Sequence, residues 1–276
     1  MSQLIGKISK GSKMDQIYIP KQRSGMLSGS YVLIKELDKE LEKEKAEDKL
    51  FYYHIKKIEP IKIEIIKEII KDLNARIKNE NVFITGSFLQ SGFYFNDIDI
   101  LIISKDSQVE NQQLNLIKAD IEGRIGLKSH IILLSISALM QGLATDPMYE
   151  MMLSRSVARK RFVSRVKRKI NYKLLDLRLL KSKDLVENFG LLSGEDKYYL
   201  IRNIVAIDLF MKGRKLGHEM VNKEICQIFQ LKDVREIKQN LLDKENFLKK
   251  FDEQYERIFK SILLGIEHES KQKRSN

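Results

Sequence analysis

The chain has 276 residues, a length that suits two domains of ordinary size. Hydrophobic residues make up 43% of it and charged residues 32%, and no uncharged apolar run approaches the ~18 residues that cross a bilayer. The first residues lack the apolar stretch of a secretory signal, and the single Cys226 cannot form an internal disulfide. We therefore expect a cytoplasmic protein with no membrane partner.

The net charge of +12 is unevenly distributed along the chain. Residues 1–150 are balanced, whereas residues 151–276 carry 29 basic and 17 acidic side chains. A charge excess confined to one half indicates a local anionic partner rather than a uniformly basic protein.

Residues 1–50 form the first predicted unit, a short β-rich extension followed by a charged linker. Apolar and polar residues alternate near 17–19 and 32–34, as in β-strands, and nearly every residue from 36 to 49 is Glu, Lys or Asp. The stretch that ends in Ile19-Pro20-Lys21 resembles half of an AbrB-like swapped-hairpin domain, which implies DNA binding. A plain hairpin that packs on the body, or that joins two copies into a homodimer, explains the same pattern, because two short strands need further partners.

Residues 51–150 form the second predicted unit, and residues 151–276 the third. In the second unit, helical and strand-like apolar patterns alternate in the order of an α/β domain: a helix from Pro60 to Ile77, strands at 82–85 and 98–103, a helix at 109–125 and a strand at 131–134. The third unit shows helical patterns alone and is predicted to be a basic all-helical domain. Its predicted helices span 147–169, 172–190, 195–212, 217–229 and 245–268.

Two acidic residues open the second predicted strand. Period-two geometry places Asp97 and Asp99 on one face, with their Cα atoms ~7 Å apart. Such carboxylates repel each other unless a cation neutralises them, and hard oxygen ligands suit Mg²⁺ or Mn²⁺. Upstream, Gly86-Ser87 follows a strand, where a glycine lets phosphate oxygens approach backbone N–H groups. The pattern predicts a site for a metal-bound polyphosphate.

The combined motif, which lies between Thr85 and Ile100, resembles the polymerase β-like nucleotidyltransferase superfamily, most closely its minimal archaeal and bacterial members. Gly-Ser, nine intervening residues and Asp-x-Asp form the match. The resemblance implies an α+β fold, with a mixed sheet and flanking helices followed by an all-helical domain. It also implies that Asp97 and Asp99 are catalytic metal ligands. Gly86 and Ser87 would bind a nucleoside triphosphate such as ATP.

The next strand departs from that family. Its members place a third carboxylate there, but this chain reads His130-Ile131-Ile132-Leu133-Leu134-Ser135. An imidazole can accept the proton of an acceptor hydroxyl or ligate a softer metal. We predict a catalytic role for His130. The alternatives are an inactive member of the family and a structural histidine at a strand end.

Eight basic residues and no acidic one lie between Arg155 and Lys169. We expect a helix there, on which Arg155 and Arg159 share a face and bind the nucleotide. Like charges four residues apart oppose helix formation, so the stripe favours a phosphate-bearing partner, namely the triphosphate, RNA or DNA. A solvated helix face is the ordinary alternative.

These observations favour a metal-dependent nucleotidyltransferase that moves a nucleoside monophosphate from an NTP to a hydroxyl of RNA, protein or a small molecule. One alternative is a catalytically weak module of the same fold that binds nucleic acid. Another is an interaction protein such as the antitoxin of a toxin pair. Pyrophosphate release with Mg²⁺ or Mn²⁺ separates the enzyme from the module.

Overall fold

The structure, a computed structural model, describes residues 49–93, 95–104 and 111–274, together with the backbone of two short strands. These strands, Ile8–Ser9 (β1) and Gln16–Ile17 (β2), pair in antiparallel orientation. The rest of the predicted N-terminal extension lies outside the described residues, so its DNA-binding and homodimer readings stay predictions. In the part of the chain that is described, no helix is long and apolar enough to cross a membrane.

A mixed five-stranded sheet forms the centre of the fold, as predicted. Its strand order is β3-β7-β4-β5-β6, and within it β5 and β6 are parallel while the other neighbours are antiparallel. The strands are Phe51–Tyr53 (β3), Asn81–Thr85 (β4), Asp97–Ile103 (β5), Lys128–Leu134 (β6) and Ser156–Ala158 (β7).

Helices cover both faces of this sheet, which explains why β4 and β5 are almost continuously apolar. The covering helices are Pro60–Arg76 (α1), Asn111–Ile125 (α2), Ile136–Thr145 (α3) and Pro147–Ser154 (α4). On one face, α1 and α2 pack on alternate strand residues that include Ile84 and Ile100. On the other face, α3 and α4 pack on Phe83 and Leu101. Burial of each such side chain contributes roughly 1.5–3 kcal/mol, so the two layers hold the sheet firmly.

The remaining helices form a second hydrophobic core, which confirms the helical character predicted for most of the last hundred residues. Its centre is α7, whose residues from Leu200 to Phe210 are almost all buried. The helices are Tyr172–Leu180 (α5), Asp184–Glu187 (α6), Gly194–Met211 (α7), His218–Phe229 (α8), Arg235–Lys238 (α9) and Lys244–Arg274 (α10). The fold is therefore α+β, with a mixed sheet, flanking helices and a helical second half.

The predicted helix at 147–169 is wrong beyond its first two turns. The helix ends at Ser154, the next element is strand β7, and the chain forms no helix, turn or bend from 161 to 171. The physical reason is that Val157 is fully buried between β3 and β4, while the surrounding cations oppose a helix. The basic residues therefore do not form a helical stripe. The domain limits at 50 and 150 stay predictions, although one strand of the sheet comes from beyond 150.

Candidate functional site

The two predicted metal ligands lie at the edge of the sheet where β5 begins. Asp99 is opposite Thr85 on β4 and opposite His130 on β6. Nδ1 of His130 lies 3.4 Å from Oδ2 of Asp97 and 3.4 Å from Oδ1 of Asp99. The sheet thus brings these three side chains together on one face, and all three are partly open to solvent.

Charge in this cluster is only partly compensated. Burial raises the pKa of the Asp99 carboxyl above its ordinary value, and repulsion from Asp97 raises it further. His130 and Arg202 act in the opposite direction but do not cancel the effect. A carboxylate pair in this state is stabilised by a cation that binds both members.

Gly86 gives the Asp99 side chain the space that it occupies. The backbone at Gly86 has a φ of 82° and a ψ of −160°, a conformation that L side chains rarely adopt. A Cβ atom at this position would also collide with the carboxylate of Asp99. The next residue, Ser87, is half-buried and begins a short 3-10 turn in which the N–H of Gln90 donates to the carbonyl of Ser87 (2.9 Å).

The loop between this turn and Asp97 is fastened to α1 by two side chains that sequence reasoning missed. Nζ of Lys62, which is fully buried, donates to the carbonyls of Gln90 and Gly92 (both 2.6 Å). Glu59 accepts the N–H of Gly92 (2.6 Å) and pairs with Lys62 (2.9 Å). The Gly92 hydrogen bond is the main reason why the pKa of Glu59 falls to about 2. The sequence signal that could have revealed this contact is Lys62 itself, a lysine at a core position of α1, four residues before Ile66.

A cavity of about 550 Å³ lies between this loop and the helical half. Gln90 and Arg155 line it from the sheet side, and α7, α8 and α9 close it. Nε of Arg155 and Nε of the neighbouring Arg202 are buried and lack a hydrogen-bond partner among the described residues. The helical residues that line the cavity include Tyr198, His218, Asn222 and Lys238.

The electrostatics of the cavity suit an anion. Burial, reinforced by Arg155 and Arg202, lowers the pKa of His218 to about 3, so its imidazole is neutral at pH 7. Burial also lowers the pKa of Arg155 itself. Tyr198 donates its hydroxyl hydrogen to Asn222 (2.7 Å), and Glu195 neutralises Lys238 (3.0 Å). Arg155 and Arg202 interact electrostatically with Glu219 and Asp99 but form no ion pair among the described residues, so an anionic ligand would suit them.

Arg159, the other predicted nucleotide-binding arginine, lies away from this cavity. Its guanidinium donates to the carbonyls of Asn79 (3.2 Å) and Glu80 (2.9 Å), just before β4 begins. Gly86 follows the opposite end of the same strand. The structure thus brings Gly86 and Ser87 together with the Asp97 cluster, places Arg155 at the adjoining cavity and leaves Arg159 outside both.

The residues at this edge fit a hard divalent cation that binds together with a substrate. Among the described residues, no group of three or more His, Cys, Asp or Glu side chains is arranged to hold a metal ion. Asp97 and Asp99 supply two carboxylates, and Mg²⁺ commonly binds one or two carboxylates together with substrate phosphates and waters. Mg²⁺ or Mn²⁺ at this position stays a prediction.

Comparison with known proteins gives little further information. No protein-family model matches the chain, and no curated protein matches it. A similar solved structure is that of spectinomycin adenyltransferase AAD(9) from Enterococcus faecialis with ATP and spectinomycin. It is 13% identical, with a TM-score of 0.41, and the match covers 72% of this chain and 98% of that one. A similarity this distant carries no argument about activity, which must be inferred from the residues of the site.

Proposed function

We propose that the chain is a metal-dependent nucleotidyltransferase, which moves a nucleoside monophosphate from an NTP to a hydroxyl acceptor. The observation that carries the proposal is the carboxylate pair Asp97 and Asp99, which meet at His130, with Asp99 packed directly against Gly86 of the Gly-Ser turn. These carboxylates would hold Mg²⁺ or Mn²⁺. When bound, such an ion withdraws charge from phosphate oxygens.

The phosphates have donors on two sides. The backbone at Gly86 and the hydroxyl of Ser87 would bind the phosphates nearest to the carboxylates. Arg155, which lines the cavity, and the neighbouring Arg202 would bind the outer phosphates, since the buried Nε of each has no hydrogen-bond partner among the described residues. These arginines supply the positive charge that residues 88–96 lack. Donors fixed in this way stabilise the charge that develops on pyrophosphate as it leaves.

In this proposal His130 accepts the proton of the acceptor hydroxyl. Its Nδ1 faces both carboxylates, which favours a hydrogen on that nitrogen and leaves Nε2 as the acceptor. In this mechanism Nε2 takes the hydroxyl proton, the hydroxyl oxygen bonds to the α-phosphorus, and the bond to pyrophosphate breaks.

Labelling with α-labelled NTPs tests the proposal. The purified protein is incubated with Mg²⁺ or Mn²⁺, total RNA and cell lysate, and both label transfer and pyrophosphate are measured. Asp97→Asn should lose transfer and Mg²⁺-nucleotide affinity, yet unfold at a higher temperature without metal, because it removes the repulsion on Asp99. Asp252→Asn, the same change on an exposed residue of α10, is the control. Unchanged affinity and pyrophosphate release in Asp97→Asn would show that the metal-site assignment is wrong.

A catalytically weak module that binds nucleotide or nucleic acid is the second candidate, and the observation that favours it is a histidine at the third-carboxylate position. The same assay separates the two. For an enzyme, His130→Ala should lower turnover about 10²- to 10⁴-fold with little change in nucleotide affinity. For a module, the wild type should release no pyrophosphate, and His130→Asp should create activity. An active wild type that is indifferent to His130→Ala would make the histidine structural.

A further inference from the structure

The segment from residue 160 to residue 169, here called the basic strap, carries five basic side chains that take no part in the proposed active site. All five are exposed, and none forms an ion pair with a described residue. They are Lys160, Arg161, Arg165, Lys167 and Lys169.

The strap is held in place at several points along its length. Phe162 packs edge-to-face on Phe83, with ring centroids 5.3 Å apart, and its N–H donates to the hydroxyl of Tyr53 (2.6 Å). Near the other end, Arg168 pairs with Glu150 (2.7 Å), and the N–H of Lys169 donates to a carbonyl of α3 (2.8 Å). The strap therefore presents its cations from a fixed backbone.

The shape of the strap is that of an extended chain. No turn or bend interrupts residues 161–171, and exposed and half-buried residues alternate from 165 to 170. Arg165, Lys167 and Lys169 are the exposed members of that alternation. Side chains two residues apart on an extended chain are ~7 Å apart, which is comparable to the distance between successive phosphates of a nucleic-acid strand.

No free acidic group near the strap in sequence compensates this charge. Between residues 135 and 175 the chain has nine basic and two acidic residues. Both acidic residues are already paired, Asp146 with Arg178 (2.6 Å) and Glu150 with Arg168 (2.7 Å). Among the residues that the structure describes, the cations of the strap therefore have no acidic partner, and an anionic molecule would neutralise them.

We propose that the basic strap binds the phosphodiester backbone of single-stranded RNA or DNA. Proteins that bind single strands place positive charge along the path of the nucleic-acid backbone. The regular spacing favours a strand over an anionic membrane surface, which places no demand on spacing. This binding does not depend on turnover at Asp97 and Asp99, so either proposal can fail without the other.

Two variants of equal net charge test the proposal. One replaces Arg165, Lys167 and Lys169 with Gln. The control replaces Lys181, Lys249 and Lys260, which are exposed cations of the helical half. The affinity for labelled single strands of about 16 nucleotides is measured at several salt concentrations, with an RNA arm and a DNA arm. The strap variant should bind more weakly. Its plot of log affinity against log salt should become less steep by about 2 units of slope, because each lost phosphate contact contributes about 0.7.

The control variant should keep the slope of the wild type. Tighter binding in one arm identifies RNA or DNA as the source of the backbone, and equal binding indicates recognition of phosphates alone. Equal slopes for the two variants would overturn the proposal. So would a strap variant that loses binding to vesicles of anionic phospholipid while it keeps its affinity for both single strands.

Discussion

Position 86 requires glycine for two separate reasons. The first is the positive φ of the backbone, which Gly86 shares with Gly126 (φ 72°). The second is the close approach of the Asp99 carboxylate, which Gly126 lacks, since nothing lies within 4 Å of a Cβ placed there. The comparison separates the cost of a strained backbone from the cost of displacing a functional side chain.

We predict that Gly86→Ala and Gly126→Ala both lose about 1 kcal/mol or more of stability, because alanine is strained at positive φ. In Gly86→Ala alone, the added methyl group would push Asp99 out of position and abolish binding of Mg²⁺-nucleotide. Thermal unfolding and calorimetric titration measure the two effects. Equal nucleotide affinities in the two variants would contradict the role assigned to Gly86.

At the scale of an element, helix α1 does more than cover the sheet. Glu59, which immediately precedes it, and Lys62 in its first turn fix the loop that joins the Gly-Ser turn to Asp97. The fully buried ammonium of Lys62 is satisfied by two carbonyls and one carboxylate, and the rings of Phe88, Phe93 and Phe95 lie around it. The spacing of the motif is therefore maintained by a helix that precedes it.

We predict that Glu59→Gln lowers the free energy of unfolding at pH 7 and makes that free energy less dependent on pH in the acidic range. The pKa of Glu59 is lowered from 4.5 to about 2, so its ionised form stabilises the fold above pH 4.5. This contribution is lost as the pH falls from about 4.5 to about 2, and the variant lacks that loss. Urea unfolding at a series of pH values measures it, with Glu64→Gln, an exposed residue of α1, as the control. Identical pH profiles for wild type and Glu59→Gln would refute the prediction.

Sequence patterns predicted the helices and strands in which apolar residues recur at a regular spacing along the whole element. Helix α1 and strands β4 and β5 have uninterrupted apolar patterns and lie where expected. Strand β7 was missed because it is three residues long, and Val157 stands among cations that read as one face of a helix. Its strand conformation is set by pairing with β3 and β4, which no local pattern encodes.

The residues of the site also divide into those that a sequence pattern reveals and those that only the packing of the chain brings together. Gly86, Asp97 and Asp99 could be found because they lie in one short motif, and the register of β6 then brings His130 to them. Arg202 could not be found, since its position depends on how α7 packs beside the sheet. Tyr198 is buried in the helical half and lines the cavity, which its place in an apolar helical pattern does not indicate.

At the scale of the whole molecule, the cavity joins the sheet to the helical half. Arg155 comes from the segment that enters β7, and Arg202 comes from α7, so an anion bound by both would connect the two hydrophobic cores. Such a ligand stabilises the folded chain by mass action.

We predict that pyrophosphate raises the unfolding temperature of the wild type and that Arg155→Gln weakens this binding about 10- to 100-fold, as expected for lost charge-assisted hydrogen bonds. Arg159→Gln is the matched control, because that guanidinium holds carbonyls at the far end of β4. It should lower stability without changing the affinity. Equal losses of affinity in both variants would mean that the cavity is not the anion site.

The place of β7 in the sheet also determines when a newly made chain can fold. Among the described strands, β3 pairs with β7 alone, and β7 separates β3 from β4. A nascent chain therefore cannot complete its sheet until Ala158 has left the ribosome, more than a hundred residues after β3. Until then one edge of β4 is unpaired, and unpaired strand edges are where chains join to each other. Synthesis that stalls before β7 would leave a chain prone to aggregation.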